Sequence, residues 1–253
     1  MGIYAMTGGA TGIGGNLRGQ LLEAGHTVIS VDIKEGDIIA DLSTAEGRQA
    51  AIEGIHQRAP EGLDGFIPCA GLPPVAPLDT IARVNYFAVI ATVEGVKDLV
   101  AKKRGTVLLV ASNSAPMVPG DDAYVQACLS GDEEATIAEI LTRDGHTAYA
   151  GSKRALSMWM RRNVVAYAKA GVRLNAVAPG ITNTPLSDQV MADEELGQAI
   201  KEFGEMVPWG GTAQPEQIAN VMHFMLSDKS DFVCGSIFFV DGGSDAMLRP
   251  DEF

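Results

Sequence analysis

Tyr149 and Lys153 stand four residues apart in the segment Tyr149-Ala-Gly-Ser-Lys153. On a helix that spacing puts both side chains on one face, with the ammonium near the phenol. A free tyrosine has a pKa of ~10 and is a poor base at neutral pH. Lowering it by about three units takes roughly 4 kcal/mol of preferential stabilisation of the phenolate. A neighbouring Lys⁺ and the positive end of a helix supply a field of that order. The preceding Asp144-Gly145-His146-Thr147 is loop-like, which predicts Tyr149 in the first turn of a helix. A Tyr-x-x-x-Lys match alone is a weak signal, so its weight depends on what the rest of the chain places beside it.

The elements that must position the pair begin at the N-terminus. A short apolar run, 2–6, leads into Thr7-Gly8-Gly9-Ala10-Thr11-Gly12-Ile13-Gly14 and then a helical pattern through Leu17, Leu21 and Leu22. Strand, glycine turn and helix in that order form a cradle for a pyrophosphate, because glycines let the backbone approach and the helix N-terminus offers free N–H groups. A second strand, 27–31, ends at Asp32, where an acid can accept from adenosine ribose hydroxyls. Asp41 and Leu42 close a third short segment and stand as candidates to border the adenine. A fourth strand, 63–69, runs into Ala70-Gly71, and a long helix is predicted over 79–103 with Asn85 in its apolar first half. A buried amide there is either a structural pin or part of a polar site.

Ser112 emerges just beyond a fifth strand, 106–110, at the sheet edge where ligands bind in open α/β folds. Residues 116–144 are too long for an ordinary connection and read as an insertion, with one extra helix over 132–141. The helix of Tyr149 runs to about Ala170. A sixth strand, 172–178, precedes Pro179-Gly180-Ile181-Thr182-Asn183-Thr184-Pro185. The stretch 182–211 reads as a mobile lid, followed by a helix over 215–226, a last strand over 236–240 and a tail from Asp241. Alternating strands and helices predict one domain spanning 1–253: an α/β fold, a doubly wound Rossmann-type parallel sheet of about seven strands with helices on both faces.

Composition narrows the partners. Nineteen Lys and Arg against 32 Asp and Glu give a net charge of −13, which argues against nucleic acid or an anionic membrane as the main partner. The three cysteines form no C-x-x-C and the four histidines no ligand spacing, so neither a disulfide framework nor a metal site is predicted. The N-terminus has no basic segment or long apolar run, and a cytoplasmic location is the simplest expectation.

Taken together, these residues resemble the short-chain dehydrogenase/reductase family over essentially the whole chain. Thr7, Gly8, Gly12 and Gly14 match its T-G-x-x-x-G-x-G, and Pro179, Gly180 and Thr184 match its P-G-x-x-x-T. The family's active-site Asn, Ser, Tyr and Lys fall on Asn85, Ser112, Tyr149 and Lys153, with Ser114 two residues on as the other candidate serine. Its usual N-N-A-G is here Pro68-Cys69-Ala70-Gly71, which removes two amides while leaving the Ala-Gly adenosine contact. Within the family, Ala40–Arg48 (ADLSTAEGR), Val84-Asn85-Tyr86-Phe87 and the insertion are similar to a bacterial hydroxysteroid dehydrogenase/carbonyl reductase group.

The resemblance implies reversible hydride transfer between a nicotinamide and a secondary alcohol or ketone. Tyr149 would be acid/base, Lys153 would depress its pKa and hold the nicotinamide ribose, and Ser112 would bind the substrate oxygen. Asn85 would hold a water linking Lys153 to solvent, and Thr184 or Thr182 would anchor the carboxamide. Asp32 favours NAD over NADP, whose 2′-phosphate it would repel. The implied substrate is a small apolar hydroxy or oxo compound, a steroid. The insertion is expected to cover the long-helix face through which the family commonly associates, which predicts a homodimer, rather than the common tetramer, joined near the last helix and strand. A different alcohol substrate, or a nicotinamide-binding regulator without turnover, remains the alternative.

Overall fold

The computed structural model describes residues 1–252. β1 (Ile3–Thr7) feeds through the glycine turn into α1 (Gly12–Glu23). There follow β2 (Thr27–Asp32), a two-residue β3 (Ile38–Ile39), α2 (Ala45–Arg58) and β4 (Gly65–Pro68). Thr44 caps α2 by accepting from Gly47 N. The helix predicted over 79–103 is not uniform. It consists of α3 (Leu78–Ala82), a π-helical turn Arg83–Ala88 and α4 (Val89–Lys102). Asn85 lies fully buried in the π turn, and its anchored amide is what the wider turn accommodates.

β5 (Thr106–Val110) leads into the insertion, which holds a 3₁₀ turn (Ala115–Met117) and two helices, α5 (Ala123–Ser130) and α6 (Glu133–Ile140), where one was predicted. Each begins on an aspartate whose carboxylate takes a backbone N–H: Asp122 from Tyr124 and Asp132 from Ala135. Then come α7 (Gly145–Lys169), β6 (Arg173–Pro179), α8 (Pro185–Met191) and α9 (Glu194–Met206). The chain closes with α10 (Pro215–Leu226), β7 (Ile237–Val240) and α11 (Ser244–Leu248), the last a short helix in what the sequence presents as a tail.

All seven strands are parallel, in the order β3-β2-β1-β4-β5-β6-β7. Successive side chains on a strand point to opposite faces, so one strand serves two cores. Ala5, Phe66 and Leu109 pack with Ile55, Val93 and Leu156 from α2, α4 and α7. Met6, Ile67 and Leu108 pack with Leu17, Leu21, Met222 and Met225 from α1 and α10. Strand order reverses between β1 and β4, which opens a crevice at their C-terminal ends.

The insertion lies against the helix of Tyr149. Tyr124 is fully buried, its hydroxyl donates to Ala148 O, and its ring rests where α7 carries Gly151. A Cβ at Gly151 would come 2.7 Å from Tyr124 Cδ1, so only glycine admits α5 at this distance. The insertion thus covers the face of α7 around Gly151.

Candidate active site

At the crevice, the glycine turn is shaped by contact rather than by flexibility. Gly8 has φ +69°, and a Cβ there would lie 2.6 Å from Ala70 N. The same Ala70 N–H donates to Thr7 Oγ1 at 3.1 Å, so the ends of β1 and β4 are stitched together. Gly14 packs against the carbonyl of Gly8, leaving no room for a side chain. Thr11 is the N-cap of α1, yet its side chain accepts no helix N–H. The first N–H groups of α1, from Gly12 and Ile13 onward, therefore face the crevice as anion donors. Thr184 stands over this turn: a Cβ on Gly12 would meet its methyl at 3.4 Å.

The outer edge of the crevice carries the acids. Asp32 ends β2 half-buried, accepting from Lys34 N at 3.3 Å. The Asp41 carboxylate takes the Ser43 hydroxyl at 2.7 Å and its N–H at 2.9 Å, which hold it below the usual carboxylate range. Leu42 is buried beside it. On the far side, β6 ends at Pro179, whose carbonyl accepts from Asn113 N, and Gly180 N donates to Val240 O. Thr182 Oγ1 is turned back onto Gly180 O at 2.9 Å, while Thr184 Oγ1 caps α8 through Ser187 N.

Between these edges sit the four predicted catalytic residues. Lys153 is almost fully buried and its Nζ donates to Val110 O, the last carbonyl of β5, at 2.8 Å. Burial lowers its pKa to about 8, with the Cys69 thiol opposing. Nζ lies 5.9 Å from the Tyr149 ring centroid. Ser112, also buried, exchanges a hydrogen bond with Ser114 Oγ at 2.9 Å, so the two candidate serines form one hydroxyl pair. Asn85 is a pin: Oδ1 accepts from Leu72 N at 2.7 Å and Nδ2 donates to Leu72 O at 3.0 Å. Gly71, the residue before, lies against both Asn85 Oδ1 and Lys153 Nζ.

Two expectations change here. Tyr149 is the fifth residue of α7, past the first turn and its strongest dipole field. Its phenol is raised above the ordinary tyrosine value by burial, with the Ser112 hydroxyl partly offsetting this. Lys153 is spent on the β5 carbonyl instead of on the phenol. Cys69 was readable only as a departure from a pattern. It lies against Gly14, its thiol pushed up to about 11 by burial.

The residues fit a dinucleotide: a Cβ-free cradle at Gly8 and Gly14, uncapped N–H groups on α1, and an acid at the end of β2. Among the described residues no cluster of His, Cys, Asp and Glu could hold a metal ion. One cavity, of about 460 Å³, opens at the opposite edge of the sheet among Asp64, Arg104, Arg173 and Asp228. Another, of about 410 Å³, lies under α8 and α9 against Ile181 and Asn183. The second is lined by the chain neighbours of Thr182 and Thr184, while the first shares no residue with the predicted site.

Comparison with known proteins bears on this geometry. A family model described as enoyl-(acyl carrier protein) reductase matches residues 135–245. The chain is 37% identical to the 3-alpha-hydroxysteroid dehydrogenase/carbonyl reductase of Comamonas testosteroni, covering all of both chains. It is 28% identical to the cis-4-hydroxycyclohexanecarboxylate dehydrogenase of Sinomonas cyclohexanicum, covering 97% of each. Its fold matches the crystal structure of the 3-alpha-hydroxysteroid dehydrogenase from Pseudomonas sp. B-0831 complexed with NADH, at a TM-score of 0.95 and 39% identity over 99% of this chain and 100% of that one. With the glycine cradle, the strand-end serine and the Tyr–Lys helix all in one crevice, the chain belongs to the short-chain dehydrogenase/reductase family and is a nicotinamide-dependent oxidoreductase of alcohols and ketones.

Proposed function

We propose that the chain interconverts a 3α-hydroxysteroid and its 3-oxosteroid with NAD(H), and reduces small ketones and aldehydes as a side activity. The observation that carries this reading is the extent of the likeness. The insertion and the lid, the parts that vary most with substrate, lie within the 99% of the chain that matches the Pseudomonas enzyme at a TM-score of 0.95. A steroid is a rigid apolar plate with one polar atom at its reacting end, and needs an apolar wall with little polar recognition. Met191, Met206 and Trp209 on the lid side and Met117 after β5 present that kind of surface, all exposed.

Thr7 to Gly14 would hold the pyrophosphate of NAD(H), with Asp32, Asp41, Leu42, Ala70 and Gly71 along the adenosine, and Thr182 or Thr184 with Pro179 and Gly180 at the nicotinamide end. When bound, NAD(H) supplies or accepts the hydride. The chain's own groups handle the proton and the substrate oxygen. Tyr149, kept as a phenol by burial, gives its proton to a ketone oxygen, and takes one from a hydroxyl in the reverse direction. The Ser112–Ser114 pair donates to the same oxygen and fixes its position. Lys153 supplies a buried positive charge beside the reacting groups. Asn85 acts by fixing the loop that carries Gly71, its amide being engaged at both ends by Leu72. A Lys153-to-solvent relay through that amide, implied by the family resemblance, would therefore have to compete with these bonds.

Assembly as a homodimer is part of the same proposal. The insertion covers α7 near Gly151, while β7 forms an open sheet edge. Around that edge Phe232 is 99% exposed and Phe239 and Val165 are also exposed, an apolar surface suited to a second copy.

Three measurements follow. Tyr149→Phe is expected to lower kcat by at least ~10²-fold while NADH still binds by fluorescence titration. Parallel loss of binding and activity would make Tyr149 structural instead. NADH formation with paired 3α- and 3β-hydroxysteroids, sugar alcohols and 3-hydroxyacyl thioesters tests the substrate. The expected result is turnover of the 3α-hydroxysteroid, with NAD preferred over NADP by about 10²-fold, or ~2.7 kcal/mol at Asp32. Efficient use of another panel member without steroid turnover would remove the steroid reading, and equal kcat/KM for the two cofactors the Asp32 one. Light scattering is expected to give a dimer that Phe232→Glu and Phe239→Glu together convert to monomer; a tetramer that survives both changes would refute the proposed interface.

A further inference from the structure

Besides packing on α7, the insertion reaches the cofactor crevice through one carboxylate. Glu133 is the first residue of α6, where an acid suits the helix dipole. It meets the guanidinium of Arg48, from α2, in two parallel bonds: Nη1 to Oε2 at 2.6 Å and Nη2 to Oε1 at 3.1 Å. Arg48 is 7% exposed, and its other donors go to backbone: Nε to Leu42 O at 2.9 Å and Nη2 to Ser43 O at 3.3 Å. Oε1 of Glu133 also accepts from Arg83 Nη1 at 2.6 Å. Arg83 opens the π turn that holds Asn85.

One carboxylate thus joins two segments that the chain keeps far apart. On one side it orients the guanidinium that fixes the Leu42 and Ser43 carbonyls, and Ser43 in turn holds the Asp41 carboxylate through its N–H and hydroxyl. On the other it fixes the start of the turn whose Asn85 pins Leu72, next to Gly71 and Lys153. A guanidinium buried this far needs its charge paired, and removing the carboxylate would leave two cations facing each other with only Asp79 within 4.0 Å of Arg83. The pair of cations holds Glu133 below the usual carboxylate range, so the strap is charged at neutral pH.

We propose that Glu133 is a positioning residue for the dinucleotide, through which the insertion sets the Asp41–Ser43 adenosine edge and, secondarily, the Asn85 turn. The inference rests on the reading of Asp41 and Leu42 as that edge. It assigns the insertion a role in cofactor affinity, although neither of its helices supplies a predicted cofactor ligand.

The test compares Glu133→Gln, which keeps shape and removes charge, with Glu133→Asp and with Asp41→Ala, by calorimetry with NADH and with AMP alongside thermal melting and steady-state kinetics. Glu133→Gln is expected to weaken NADH and AMP alike by about tenfold, the effect appearing in the cofactor KM more than in kcat, with Glu133→Asp recovering part of it. Unchanged NADH and AMP affinity in Glu133→Gln, with weakened binding in Asp41→Ala, would overturn the strap and leave the adenosine edge standing. Unchanged affinity in both would overturn the two together. A lower melting temperature with unchanged affinity would likewise make Glu133 an ordinary structural anchor. If Glu133→Gln does not fold, Arg83→Met, which spares the Arg48 pair, is expected to weaken NADH but not AMP. Equal NADH affinity in that variant would contradict the coupling to the Asn85 turn.

Discussion

The site depends on one buried ammonium. Lys153 is taken almost entirely out of water and offered the final carbonyl of β5 at 2.8 Å. Desolvation disfavours the charged form of a lysine, and burial here brings the pKa down to about 8 against the opposing effect of Cys69. A charge held so near its neutral form responds to whatever approaches it. The groups around it are arranged accordingly: Gly71 admits backbone close to Nζ, Asn85 locks the loop carrying Gly71, and Cys69 fills the space toward Gly14. Tyr149 and Ser112 occupy the open side, one half-buried phenol and one buried hydroxyl where a substrate oxygen can meet both.

Holding that arrangement is the work of the parallel sheet and the insertion together. The strand ends of β1, β4, β5 and β6 converge on one crevice because every connection is a parallel crossover. The insertion then presses α5 onto α7 at Gly151, two residues from both Tyr149 and Lys153, with Tyr124 wholly buried in the contact. A helix fixed from both sides keeps its two functional side chains in register, which a solvent-exposed α7 would do less well.

Local patterns carried much of this into the sequence. A glycine turn between a strand and a helix, an aspartate at the next strand end and a serine just past a fifth strand are each set by a few neighbouring residues, and all fall at the crevice. What required the fold was anything decided by distant packing. The π turn at Asn85 depends on its bonds to Leu72, thirteen residues earlier. α5 is short and its apolar side chains are not periodic enough to stand out, so its existence follows from Gly151 receiving Tyr124. The direction of the Tyr149 shift follows desolvation by residues distant in the chain, which the lysine four positions on does not reveal, and Lys153 itself is engaged by Val110 O. The Glu133–Arg48 pair is 85 residues apart and invisible to any local reading.

The central claim is that Lys153 is a buried, easily neutralised ammonium at the heart of the crevice. It can be measured directly by an NMR titration of the protein labelled with ¹⁵N at lysine Nζ, the Lys153 signal being assigned by its absence in Lys153→Met. The account predicts that this one signal titrates near pH 8, charged below and neutral above, apart from the other lysines. Titration near the ordinary lysine value of ~10.4 would contradict it and place the ammonium in contact with solvent.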